Sequence, residues 1–190
     1  MNAFEHILIL LSFVFAIGIA HMLGCAAALI RAGRRVRYDG VHALWAMVAL
    51  QILISDWIAF WDMRSLPSWS TFTILLTFLL SFTNYIAAVL VCPEVPPHGA
   101  VDLHAFHVHE GRKYLIAILV CYVVALLANL IYGSVYNLVQ WDNANIAVVP
   151  SALATAAALI WRRRSVQWAA ALTVNAMWDY YWVALQAALK

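Results

Sequence analysis

Long apolar runs broken by short polar stretches dominate this chain, and their lengths set the architecture. Crossing the hydrocarbon of a bilayer as a helix takes about 20 mostly apolar residues. Six runs are read as spans, over residues 6–30, 43–62, 71–92, 114–132, 146–161 and 166–189; the fifth is short and rich in alanine. Membrane β-strands would be about ten residues long and would alternate apolar with polar. The pattern therefore predicts an all-α, polytopic transmembrane helix bundle, with residues 1–190 forming a single integral membrane domain. A histidine-rich segment at 93–113 is expected as a loop.

Basic residues give this bundle a direction. The first, third and fifth breaks hold Arg31, Arg34, Arg35, Arg37, Arg112, Lys113, Arg162, Arg163 and Arg164, against Arg64 and Lys190 on the other side. Cytoplasmic loops carry the excess of Lys and Arg. The expected topology is three hairpins turning on the cytoplasmic side of a bacterial inner membrane, with both termini outside. Tryptophans fit the same frame, with Trp45, Trp161 and Trp168 at the inner interface and Trp61, Trp69 and Trp141 at the outer one. The first run is preceded by Glu5 and no Lys or Arg, so the positive n-region of a signal peptide is missing. Although MLGC at 22–25 loosely resembles a lipoprotein cleavage site, the run is read as a retained helix.

Composition agrees with this frame. Hydrophobic residues make up 66% and charged residues 11% of the chain, far from the roughly 45–50% and about 25% of soluble domains. A net charge of +2, concentrated in the loops, gives nucleic-acid binding no support. Cys25, Cys92 and Cys121 are odd in number and lie in or beside apolar runs, so they read as packing residues rather than a disulfide framework.

Candidate chemistry comes from polar residues that interrupt the apolar runs. In the last run, NAMWDYYW places Asn175 and Asp179 one turn apart, and Asn175, Asp179, Trp182 and Gln186 follow helical spacing. Thr73, Thr77, Ser81 and Asn84 form a second stripe. Gln51, Ser55 and Asp62 form a third, with Asp56 offset from it. The first run offers Gly18, His21 and Cys25. Trp45 precedes Asp56 by eleven residues and Trp168 precedes Asp179 by eleven, which sets both carboxylates about 16 Å from the inner tryptophans and suggests a parallel repeat. Hydroxyl and amide groups serve as hydrogen bonds between helices. Carboxylates are costly in hydrocarbon, and bonding between helices does not require a titratable group.

The expected site is a polar, acidic cavity opening outward, formed by Asp56, Asp179, Asn175, Gln51, Asn84, His21, Trp178 and Trp182. It would bind or move a small cationic or amphiphilic ligand, coupled to protons through Asp56 or Asp179 with His21 as relay. Glu5, Asp62 and Asp142 at its mouth would draw cations. Two rival readings stand beside it. The first is a non-catalytic accessory or assembly subunit of a larger membrane complex or homo-oligomer. The second is a metal-dependent membrane oxidoreductase using His104, His107 and His109, with His42 and His98 on the same side. His104 and His107 share a helical face, whereas His107 and His109 share one only in an extended strand, so spacing alone does not present all three.

A haem held by two histidines is disfavoured, because His6 and His21 lie on one helix about 22 Å apart and no other histidine lies near the depth of His21. A quinone or pigment among the aromatic rings stays open. No phosphate-binding GxxxxGK[ST], dinucleotide-binding GxGxxG or nucleophile-bearing GxSxG occurs, so the chain leans away from an enzyme. The lipid bilayer is its one firm partner.

Overall fold

The computed structural model describes residues 3–66, 68–136 and 145–184. Within these, six α-helices carry nearly all of the structure. They are α1 (Ala3–Ala32), α2 (Gly40–Ala59), α3 (Thr71–Val91), α4 (Leu103–Tyr136), α5 (Val148–Ile160) and α6 (Arg164–Ala184). Four of them, α1 to α4, are long and apolar enough to cross a membrane. At 13 residues α5 reaches only about 20 Å, short of the roughly 30 Å of hydrocarbon. Although α6 has 21 residues, Gln167, Thr173, Asn175 and Asp179 interrupt its apolar character.

Helix ends follow local chemistry. Asp39, Ser70 and Asp102 each accept a hydrogen bond from the backbone N–H three residues on, at 3.0, 3.1 and 2.9 Å, and so start α2, α3 and α4. Gly33, at φ 54°, takes the left-handed turn that closes α1. The largest difference from expectation is at α4. Asp102 caps a helix that begins eleven residues before Tyr114, so the second half of the histidine segment continues the fourth span rather than forming a loop.

Packing centres on α2, which touches α1, α3, α4 and α6, while α5 lies between α4 and α6. Polar stripes turn inward and apolar ones outward. On α3, Thr73, Thr77, Ser81 and Asn84 are buried, whereas Phe72, Leu75, Leu79, Phe82 and Ile86 are exposed at helical spacing. Such an apolar exterior suits lipid, and the inward hydroxyls are satisfied at home. Thr77 donates to the Thr73 carbonyl at 2.7 Å and Ser81 to the Thr77 carbonyl at 3.0 Å.

One end of the bundle is fastened by its loops. Val36 and Val101 pair in a two-residue parallel bridge, Arg35 donates to the carbonyls of Pro96, Pro97 and Gly99, and Arg37 pairs with Asp102 at 3.1 Å. The Arg162 guanidinium joins them through the Val108 carbonyl at 2.7 Å. Here too Cys25 lies against Cys92, and its thiol donates to the Pro93 carbonyl at 3.7 Å; all three cysteines are free.

Gly18 lets α1 approach α2, since a Cβ built there would meet the Leu53 methyl groups at 3.3 and 3.4 Å. Gly18→Leu should therefore destabilise the bundle by about 1–3 kcal/mol through overpacking, and Leu53→Ala in the same chain should recover part of the loss. Unfolding of the purified protein in detergent checks both. Equal stability of Gly18→Leu and wild type would mean that the helices do not meet there.

Candidate functional site

Asp56 stands in the last turn of α2, towards the end of the bundle opposite the basic loops, and lines a cavity of about 120 Å3. Its carboxylate accepts a hydrogen bond from the Asn84 amide of α3. Ser55, Asn129 and Tyr132 add polar groups to the cavity, and Phe60, Trp178 and Tyr181 add aromatic walls. Trp178 is fixed from two sides. Its indole N–H donates to the Tyr122 hydroxyl at 3.1 Å with the rings stacked, and Tyr181 meets it edge-on at a centroid distance of 5.6 Å. No Lys, Arg or His among the described residues forms an ion pair with Asp56.

The other proposed site residues separate into different surroundings. Asp179 is exposed on the outside of α6, where it accepts from the Gln51 amide at 2.9 Å, and it does not line the Asp56 cavity. Trp182 donates to Ser55 at 2.6 Å. Asn175 donates to the Leu44 carbonyl of α2 at 3.2 Å and to the Ala171 carbonyl of its own helix at 2.8 Å. His21 is exposed on α1, in a shallow hollow with Cys25, Cys92 and Glu94, away from both aspartates. The eleven-residue match also joins unlike places, because Trp45 is fully buried while Trp168 is partly exposed. Gln186 and Asp142, with Trp141 and Lys190, lie outside the described residues, as does the side chain of Asp62.

No family model, curated protein or solved structure matches the chain. The chemistry of its two polar centres is therefore the basis for assigning a role.

The second centre lies at the fastened end. Asp39, 4% exposed, receives the His42 amide at 3.0 Å, an Arg164 guanidinium nitrogen at 2.8 Å and His104 Nδ1 at 3.1 Å. That same His104 nitrogen lies 2.7 Å from Arg164, so it serves one of these neighbours at a time. His107 is buried against the Tyr114 hydroxyl, and His109 faces outward. His42 is held by the Val91 carbonyl at 2.9 Å. The histidines proposed as metal ligands thus have separate partners. Among the described residues no three His, Cys, Asp or Glu side chains are grouped to hold a metal.

Asp39 and Arg164 are the pair that sequence reasoning missed, although DGVH before an apolar run carries a capping signal for Asp39. Burial pushes the Asp39 carboxyl up. The His42 amide, the Arg164 guanidinium and His104 outweigh burial and hold it down at about 2. A depressed carboxylate adds stability above its unfolded value near 4, and that stability is lost as pH falls towards 2. Asp39→Asn keeps a capping side chain but loses the charge, and Asp39→Ala loses both. Thermal unfolding should rank wild type above Asn and Asn above Ala, with the cap alone worth about 1 kcal/mol. The gap between wild type and Asn should narrow as pH falls from 5 towards 2. A gap unchanged by acid would mean that the ion pair contributes nothing.

Proposed function

We propose that the protein is a six-span inner-membrane protein that binds a small organic cation in the Asp56 cavity. In this reading α5 and α6 complete a third hairpin, the nine basic residues face the cytoplasm, and both termini lie outside. The observation that carries the proposal is a carboxylate lining an aromatic-walled cavity with no protein cation to neutralise it. A charged group costs at least about 2.5–3.5 kcal/mol at the bilayer centre and less towards its edge, where Asp56 lies in this reading, and a bound cation or proton offsets that cost.

The walls suit an ammonium group. Trp178, Tyr181 and Phe60 present rings to which a cation is attracted by about 0.5–2 kcal/mol each. A volume of about 120 Å3 holds a few waters or one small amine, which sets the ligand class at methylammonium to tetramethylammonium in size. Cation and proton would compete for the same carboxylate, the simplest basis for coupling movement of one to the other.

Titrating the purified protein with these ions while following tryptophan fluorescence tests the assignment. Wild type should respond, Asp56→Asn should weaken binding at least about tenfold, and acid should weaken it by protonating Asp56. No response to any of the ions, or equal affinity in Asp56→Asn, would end the cation reading.

Asp179 favours a second reading, the accessory subunit. An exposed carboxylate on α6, bonded to Gln51 beside Trp182, is a poor surface for lipid and a better one for another transmembrane chain. If so, wild type should purify in mild detergent as an assembly larger than one chain, and Asp179→Leu should release the monomer. Monomeric wild type would remove this reading. The metal-dependent oxidoreductase has no comparable observation in its favour.

A further inference from the structure

A recess of about 380 Å3 opens at the fastened end between α4 and the turn from α5 to α6. Arg162, Arg164, His104, His107 and Gln167 line it, with Val41, Val108 and Leu115 as apolar wall. Arg164 is partly occupied by Asp39, the acid beside it, but among the described residues Arg162 gives one of its five donors, to the Val108 carbonyl. The recess therefore keeps a net positive character and free guanidinium donors.

Gln167 supplies the second observation. It is 6% exposed, and its amide nitrogen donates to the Ala158 carbonyl at 2.6 Å, which fixes the orientation of the amide. Its oxygen is buried and accepts no hydrogen bond among the described residues. A buried acceptor left unpaired is destabilising, and a hydroxyl or amine donor brought with an anion would relieve it. A fully ionised phosphate alone would leave this oxygen unpaired.

We infer that this recess binds a phosphate ester carrying a free hydroxyl, with the phosphate on Arg162 and Arg164 and the hydroxyl donating to Gln167. The structure favours a phospholipid as its source. Val108 borders the recess, and further along α4 Ile116, Val120, Val123, Leu127 and Leu130 are exposed at three- and four-residue spacing, an apolar strip that suits lipid. An anionic headgroup in the recess would place an acyl chain on that strip. Arg163, between the two lining arginines in sequence, is exposed and does not line the recess, and so serves as the control.

The test uses the delipidated full-length protein in neutral detergent and follows thermal unfolding with added phosphatidylglycerol, phosphatidylmethanol or phosphatidylcholine. Phosphatidylglycerol should stabilise wild type most. Phosphatidylmethanol, with the same charge and no hydroxyl, should need several-fold more lipid for the same shift. Arg162→Gln should need about tenfold more phosphatidylglycerol, while Arg163→Gln should match wild type. Free glycerol 1-phosphate separates the two sources. Stabilisation by it, without any by phosphatidylglycerol, would keep the hydroxyl-bearing phosphate and overturn the lipid assignment. The site itself is overturned if phosphatidylcholine stabilises as strongly, or if Arg162→Gln and Arg163→Gln weaken the effect equally, since that is diffuse surface charge. Equal potency of phosphatidylglycerol and phosphatidylmethanol, measured on wild type and so independent of any variant's folding, overturns the role of Gln167.

Discussion

Hydrocarbon offers no hydrogen-bond partner, so a polar side chain on an apolar helix is best satisfied by its own backbone or by a neighbouring helix. The arrangement of this bundle follows from that constraint. Along α2, Gln51 bonds Asp179 of α6, Ser55 receives Trp182 of α6, and Asp56 receives Asn84 of α3. These three residues lie within about two turns and hold two neighbouring helices to one axis. Individually such bonds are worth only about 0.6 kcal/mol, but their directions select one rotation of α2 among many that apolar packing alone would tolerate.

The two ends of the bundle solve the same problem differently. At the basic end, backbone groups that leave the helices are met by charged side chains, with Arg35 on three carbonyls, Arg162 on Val108 and Asp39 on the start of α2. Charge is tolerated there because the arginine side chains are exposed, and exposed charges are screened by solvent. At the opposite end the polar groups lie among aromatic rings: Asp56 takes an amide rather than an ion pair, and Arg64 stacks over the Trp61 ring at 4.9 Å. The first end is therefore closed by ion pairs and loop contacts, while the second keeps a cavity beside Asp56.

Helix positions were legible in the sequence wherever apolar length decides them: spans one to four correspond to α1–α4, and the runs at 146–161 and 166–189 correspond to α5 and α6 with shifted ends. What apolar length does not register is a helix that continues past its apolar run. The start of α4 at Leu103 depends on the Asp102 cap and on the pairing of Val101 with Val36, a contact 65 residues apart in the chain. The inward face of α3 was readable from the spacing of Thr73, Thr77, Ser81 and Asn84. The partner of each residue was not, because spacing along one helix does not give the rotation of the next. Asp39 and Arg164 lie 125 residues apart, and no local pattern connects them.

Asp56 and Asp179 show how far that difference reaches. Each follows a tryptophan by eleven residues, each lies on a helix starting at the basic end, and each accepts an amide N–H from another helix. Their surroundings nevertheless diverge, because the amide donors come from different directions. Asn84 approaches Asp56 from α3 beside the cavity, whereas Gln51 approaches Asp179 from α2 and leaves the carboxylate at the surface. An enclosed carboxylate can exchange a proton for a small cation within a shaped space. A surface carboxylate can be relieved only by something that arrives from outside the chain, a headgroup, water or another protein. Depth and spacing make the two acids equivalent, but the helix that supplies the hydrogen bond gives them different chemistry.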